Sequence, residues 1–107
     1  MRVIARRTLN DYASARVRHR DHKALKAALD AWFYEVSAAE WRSMAGVKGS
    51  FATASFVKAD RVVFNIKGND HRLIVAIDFS RQTIFIKWIG THEHYDEIDA
   101  RTVEYAR

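Results

Sequence analysis

The fold is set by residues 62–89, which read VVFNIKGNDHRLIVAIDFSRQTIFIKWI. This stretch alternates runs rich in β-branched and aromatic residues, which favour strands, with short polar links. The links are too short for the crossover that parallel strands require, and Gly68 and Asn69 in the first link tolerate the positive φ of a hairpin turn. The stretch therefore predicts an antiparallel meander, with strands at residues 62–66, 73–79 and 83–89.

A helical region precedes the meander. Its clearest sign is an apolar stripe with a period of about 3.6 residues, which predicts one buried helix face. The stripe consists of Leu25, Ala28, Leu29, Trp32, Phe33 and Val36. Helices followed by an antiparallel meander predict an α+β fold, in which the N-terminal helices pack on one face of the sheet. The other face, or its rim, is then open for a ligand.

Shorter signals mark the remaining elements. Thr8 and Asp21 are typical helix N-caps and predict the starts of the first two helices. Ser37, with a glutamate three positions later, predicts a third helix that Gly46 and Gly49 end. Weaker patterns predict a first strand at residues 1–5, a β-like run at residues 51–57 and a helical tail at residues 93–105.

Length and composition limit the class of protein. The chain has 107 residues, of which 49% are hydrophobic and 29% are charged, as in soluble globular proteins. We interpret residues 1–107 as a single domain. The sequence holds no cysteine and no apolar run near the roughly 18 residues that a membrane helix needs. Disulfides and a membrane partner are therefore not expected, and the default location is the cytoplasm.

Positive charge is concentrated at the N-terminal end. Residues 1–26 contain eight Lys and Arg but only two Asp, a net charge of +6, whereas the rest of the chain carries −1. A basic segment attracts phosphate backbones or an acidic partner. A solvated helix face explains the same charges equally well.

Side-chain alternation along residues 83–89 predicts which groups face the helices. Positions 84, 86 and 88 are all apolar, so we expect them, including Trp88, to pack against the helices. Lys87 then points to the open face. Arg72 begins the neighbouring strand, and His92 and Tyr95 follow the last strand, so one edge of the sheet is expected to gather these four residues.

This set of groups suits RNA cleavage without a metal. In that reaction the ribose 2′-hydroxyl loses a proton and attacks the adjacent phosphate. His92 or Tyr95 could exchange protons, and Arg72 or Lys87 could stabilise the charge of the phosphorane. Phe85 or Tyr95 could stack a base. Taken one at a time, each of these residues is also explained as an ordinary surface side chain.

The same segment also suggests a possible metal site. His92 and His94 occupy alternate positions and could present two imidazoles to zinc. The sequence offers no evident third ligand, so we predict neither a metal nor a cofactor.

Two stretches carry a family resemblance. Residues 63–74, VFNIKGNDHRLI, resemble the pattern V-F-N-I-x-G-N-x-x-R-L-I of the HigB toxins, which have a RelE-like fold. Residues 86–96, IKWIGTHEHYD, resemble the closing pattern I-[RK]-x-x-x-T-H-x-x-Y-D of the same family. The order and spacing of elements agree with this family over nearly the whole chain.

The resemblance implies an endoribonuclease that cuts messenger RNA, often on the translating ribosome, without a metal. It implies neutralisation by HigA, a helix-turn-helix antitoxin. It also implies two groups of site residues: Arg72, Lys87, His92 and Tyr95 for catalysis, and Asn69, Lys67 and Phe85 for RNA binding. Asn69 is equally well explained as a turn residue, and Lys67 replaces a residue that is often small in this family. We favour His92 as the proton-transfer residue and Arg72 as the charge stabiliser.

Two other functions stay open at this point. The first is a module that grips RNA or the ribosome without cutting. The second is an inert relative that is retained for antitoxin binding and operon control.

Overall fold

A computed structural model describes residues 1–58 and 60–104 of the chain. Within those residues, four helices and five strands follow one another along the sequence. The strands are β1 (Arg2–Ile4), β2 (Ser55–Lys58), β3 (Arg61–Ile66), β4 (His71–Asp78) and β5 (Thr83–Thr91). The helices are α1 (Arg6–Ala15), α2 (His22–Ala38), α3 (Met44–Ser50) and α4 (His92–Tyr95). None of these helices is both long and apolar enough to cross a membrane.

The strands form one sheet in the order β1-β5-β4-β3-β2. The predicted antiparallel meander is confirmed, because β3 pairs with β4 and β4 pairs with β5 in antiparallel fashion. In the β3–β4 turn, Lys67 and Gly68 have positive φ angles of 54° and 65°. In the β4–β5 turn, Gln82 has a positive φ of 52°. At the sheet edges, β2 pairs antiparallel with β3 and β1 pairs parallel with β5. The chain is therefore an α+β protein, as the sequence predicts.

The main core lies between the helices and one face of the sheet. The predicted stripe of α2 is confirmed, since Leu25, Leu29, Trp32 and Val36 are all buried. The Trp32 ring meets Phe64 of β3 edge to face, with 5.5 Å between ring centroids. Aromatic pairs of this kind add to the stabilisation that area burial provides.

A β-bulge at Lys87 changes the alternation of β5. Ile74 pairs with Trp88 but Val75 pairs with Ile86, so Lys87 has no partner of its own in β4. The bulge places Trp88 on the face away from the helices, where it packs with Ile74. The prediction that Trp88 faces the helices is therefore wrong, because strict alternation does not survive an inserted residue.

The second face of the sheet is partly covered by the C-terminal segment. Ile98, Ala100 and Val103 pack over Val63 and Ile74 in a second apolar cluster. The predicted helical tail is found only over His92–Tyr95, and residues 105–107 lie outside the described residues. The face expected to be open is therefore closed over its centre.

Buried Arg61 holds this segment in place. Its guanidinium donates hydrogen bonds to the carbonyl oxygens of Ala100 and Val103, at 3.3 and 2.6 Å, and to Glu104 at 2.8 Å. Because hydrogen bonds from a charged donor are stronger than neutral ones, Arg61 ties the C-terminal segment firmly to β3.

The predicted helix caps are largely wrong. Helix α1 begins before Thr8, which is buried inside it, and Ser37 lies within α2. Helix α3 begins after Ser43 and contains both glycines that were expected to end a helix. Asp21 does precede α2, but its carboxylate makes no capping bond. Thr8 is buried and Asp21 is engaged by His71, whereas Ser37 is exposed in the last turn of α2.

Candidate active site

The candidate site lies at one end of the sheet, where the β3–β4 loop meets the junction between β5 and α4. Arg72, near the start of β4, pairs with Gly90, near the end of β5. The backbone N–H of His92 donates a 3.0 Å hydrogen bond to the carbonyl oxygen of Asp70 in the loop. These contacts hold the β3–β4 loop beside the β5–α4 junction, although the two segments are distant in sequence.

Arg72 is held by a stack of groups on the second face of the sheet. Its guanidinium donates a 2.9 Å hydrogen bond to the carbonyl oxygen of Asn69. The carbon at its centre lies 5.6 Å from the centroid of the Tyr95 ring, which in turn tilts against Trp88. A guanidinium over an aromatic face is stabilised by cation–π attraction. Arg72 is thus positioned by the loop on one side and by α4 on the other.

His92 lies at the lip of a groove of about 460 Å³. Thr91 accepts a hydrogen bond from the backbone N–H of His94 and so caps α4, which fixes the first turn. The His92 side chain is 43% exposed, and its Nε2 lies 3.6 Å from an Asp96 carboxylate oxygen. Its Nδ1 is buried and has no hydrogen-bond partner among the residues described. A bound group can therefore reach the imidazole only through its exposed part, because Nδ1 itself is closed off.

The groove carries charges of both signs. Arg16 and Asp21 line it from the helix side, and Asp70 and Glu93 line it from the sheet side. A 2.7 Å bond from Lys67 lowers the pKa of the Asp70 carboxyl below its usual value, so this side chain stays ionised at neutral pH. Three of these four side chains are acidic, so the groove by itself does not attract a phosphate.

Two of the predicted site residues lie elsewhere on the sheet. The Lys87 ammonium makes a 3.1 Å ion pair with Glu104 and lies 6.0 Å from the Phe85 ring centroid. Phe85 pairs with Ala76, four residues along β4 from Arg72, which corresponds to roughly 13 Å of strand. The structure thus brings Arg72 into contact with Asn69 and Tyr95, and His92 lines one groove together with Asn69. Phe85 lies further along the sheet, and Lys87 is paired with Glu104.

Comparison with protein families decides the kind of protein. Residues 25–98 match a family model described as HigB_toxin, the RelE-like toxic component of a toxin–antitoxin system. The chain belongs to the HigB family of toxins. The matched range includes both sequence stretches that carry the resemblance, and the α+β fold agrees with it. Among curated proteins, none matches this toxin.

Family membership has a direct consequence for partners. The toxin is one half of a toxin–antitoxin system, so an antitoxin is implied as its partner. The match begins at Leu25 and therefore does not cover α1 or the turn that follows it.

A buried histidine beside the site was missed by sequence reasoning. His71 of this toxin is only 1% exposed. Its Nδ1 lies 2.8 Å from the Tyr12 hydroxyl and its Nε2 lies 2.9 Å from an Asp21 carboxylate oxygen. The bond from His71 is the main reason that the pKa of the Asp21 carboxyl falls below its usual value. This network joins α1 and the start of α2 to β4 directly beneath the groove.

One signal for His71 was present in the sequence. It stands two positions before Leu73, and side-chain alternation along β4 therefore places it on the helix side. Nothing in the sequence shows that Tyr12 and Asp21 meet it, because those contacts join residues 59 and 50 positions apart.

The zinc hypothesis for His92 and His94 gains no further support. Across residues 1–58 and 60–104, no three His, Cys, Asp or Glu side chains are grouped in a way that could hold a metal ion.

Gly90 supports the aromatic stack, and we expect Gly90→Ala to disrupt it. A Cβ at this position would lie 2.3 and 2.5 Å from two carbons of the Trp88 ring, closer than atoms can approach. We predict that the ring shifts away from Tyr95 and that the free energy of unfolding falls by about 1–3 kcal/mol. Urea titration followed by tryptophan fluorescence measures both effects.

Gly49→Ala is the matched control for this variant. Gly49 lies in α3, and a Cβ there would meet nothing within 4 Å. This substitution should be neutral or slightly stabilising, because alanine favours helices over glycine. Equal stability of the two variants would show that the Trp88 ring is not held against Gly90.

Proposed function

We propose that this toxin is an endoribonuclease that cleaves messenger RNA and thereby inhibits translation. The observation that supports this most strongly is that Arg72 and His92 are both connected to α4, Arg72 through its stack on Tyr95 and His92 as the first residue of the helix. His92 and Tyr95 are three residues apart on α4, a spacing that makes side chains neighbours on a helix surface. Arg72 stacks on that same Tyr95. The short helix α4 therefore lies next to two useful groups: His92, which can exchange protons, and the guanidinium of Arg72, which is fixed in place.

The proposed reaction needs only these side chains and the RNA. His92 takes the proton of the ribose 2′-hydroxyl, and the 2′-oxygen forms a bond to the adjacent phosphorus. Arg72 stabilises the negative charge that the phosphorane gains. The bond from phosphorus to the 5′-oxygen then breaks, and that oxygen takes up a proton, for which Tyr95 is the nearest candidate donor. The products carry a 2′,3′-cyclic phosphate and a 5′-hydroxyl.

The remaining predicted residues define a path for the RNA. Asn69 and Lys67 lie in the β3–β4 loop beside Arg72, and Phe85 and Lys87 lie further along the second face. We propose that the loop contacts the scissile nucleotide, that Lys87 contacts a neighbouring phosphate, and that Phe85 stacks a base. Lys87 must then exchange its ion pair with Glu104 for the phosphate.

The family resemblance supports the cellular part of the proposal. The substrate is messenger RNA, engaged on the translating ribosome, and the partner is a HigA-like helix-turn-helix antitoxin. With this substrate and this partner, we expect the toxin to act in the cytoplasm.

Mapping of RNA ends after induction of the toxin tests this function. We expect growth arrest together with new transcript ends that carry 5′-hydroxyls and 2′,3′-cyclic phosphates. Arrest with intact transcripts would instead indicate a module that grips RNA or the ribosome without cutting. Normal growth at high expression would indicate an inert relative, and either result would exclude the nuclease.

A further inference from the structure

A groove between α1 and α2 lies outside the candidate active site. It has a volume of about 490 Å³, and none of the residues around Arg72 or His92 lines it. Its floor is formed by the apolar side chains of Leu9, Ala13 and Leu29, each of which also belongs to the core. Val17 stands at its rim and is 62% exposed. An apolar floor with an exposed valine beside it is suited to receive an apolar side chain.

The walls and surroundings of this groove are basic. Arg6 from α1 and Lys26 from α2 both reach Asp30, at 3.6 and 3.1 Å, so two cations share one carboxylate. Arg6 also lies over the Phe33 ring at 3.9 Å, which fixes its position. Three further exposed cations follow in the turn and at the start of α2, and none has a partner among the described residues: Arg18, Arg20 and Lys23.

We propose that this groove is a docking site for the antitoxin, which inserts an apolar side chain from an acidic amphipathic segment. The apolar side chain covers Val17 and the groove floor, and carboxylates on either side of it pair with the turn cations. The first 26 residues carry a net charge of +6, which an acidic segment complements. The proposal depends on membership of a toxin–antitoxin family and is independent of the nuclease activity.

A protein segment fits this groove better than RNA does. Bases stack on aromatic rings, but no Phe, Tyr or Trp is among the described residues that line the groove. The two cations on its walls are already neutralised in part by Asp30. Burial of the apolar floor is favourable for a side chain of a protein, whereas a phosphate would gain nothing from it.

The test compares two exposed apolar residues replaced by the same acid. Val17→Asp places a negative charge at the rim of the groove, and Tyr34→Asp makes the same change on α2 at a residue that is 69% exposed and does not line the groove. The probe is the product of the neighbouring gene that co-purifies with the toxin on co-expression, and its affinity for each purified toxin is measured by calorimetry. We expect Val17→Asp to raise Kd about 30-fold or more and Tyr34→Asp to raise it less than about threefold.

A second variant tests whether a folding defect, and not the loss of the docking site, explains the effect of Val17→Asp. Ser14 lines the groove and is exposed, so Ser14→Trp fills the groove without changing the core. We expect a loss of antitoxin affinity similar to that of Val17→Asp, with an unchanged circular dichroism spectrum.

Three outcomes would overturn the proposal. The first is that both groove variants bind the antitoxin as tightly as Tyr34→Asp does. The second is that they lose affinity for RNA while keeping antitoxin affinity, which would make the groove an RNA site. The third is that they convert a dimer of the toxin to a monomer without weakening the antitoxin complex, which would make the groove a contact between two copies. Because binding is measured without cleavage, failure of the nuclease mechanism would leave this test unaffected.

Discussion

His92→Ala is expected to lower the rate constant of RNA cleavage by about 10²–10⁴-fold, the range over which a general base or acid contributes. The His92 side chain lines the groove and is 43% exposed, so a bound RNA can reach its imidazole. Removal of the imidazole leaves no comparable group at that position. The measurement is single-turnover cleavage of a short RNA by purified toxin.

His94→Ala is the control for this variant. His94 is exposed on the same helix and does not line the groove around His92. We expect its cleavage rate to stay within about threefold of the wild type, as for a surface side chain outside the chemistry. Equal losses in the two variants would indicate a general effect on α4 and would remove His92 from the mechanism.

Arg72→Ala is expected to cost about 10²–10³-fold in the cleavage rate, comparable to the loss of one donor to a developing oxyanion. Arg72→Lys should recover only part of this loss, because an ammonium keeps the charge but not the planar stack on Tyr95 or the forked contact. If Arg72 stabilises the transition state, the loss appears in kcat more than in KM.

Arg81→Ala is the control for Arg72→Ala, because it removes the same charge from a residue outside the candidate site. Arg81 follows β4 at the opposite end of the sheet, and its side chain is 81% exposed. We expect little change in kcat for this variant. A purely electrostatic attraction of RNA to the toxin would instead give similar effects for Arg72 and Arg81, mainly in KM and with strong salt dependence.

The meander was predictable because its signals are local. Strands β3, β4 and β5 are dense in β-branched and aromatic residues, and Gly68 takes the positive φ that the first turn was expected to need. The other positive φ angles fall on Lys67 and Gln82, which the sequence did not indicate. The bulge at Lys87 was not predictable, because an inserted residue leaves no mark on composition. The covering of the second face also escaped prediction, since it depends on a buried contact from Arg61 to residues some 40 positions later.

The candidate site was predictable only in part. The order of the strands predicts that Arg72, His92 and Tyr95 lie near one edge of the sheet, and the family resemblance selects the same residues. The surroundings that determine how these groups behave come from elsewhere in the chain. Asp21 was predicted to cap α2, but its carboxylate is hydrogen-bonded to His71 and makes no capping bond. This contact joins residues that are distant in sequence, so only the three-dimensional fold reveals it.

The location of the two proposed surfaces has a functional implication. The candidate active site lies at one end of the sheet, whereas the antitoxin groove lies between α1 and α2. The α1–α2 turn connects them, because Val17 lines the groove and Arg16 and Asp21 line the active-site groove. An antitoxin bound at the helices is therefore well placed to affect the site through this turn.

The central claim is that His92 and Arg72 act on the same phosphodiester, and a double-mutant cycle tests it most directly. Single-turnover cleavage is measured for the wild type, His92→Ala, Arg72→Ala and the double variant on one RNA. Groups that act as a unit give non-additive losses, so we predict that the double variant is about as slow as the slower single variant. Full multiplication of the two losses, or wild-type cleavage by either single variant, would contradict the account.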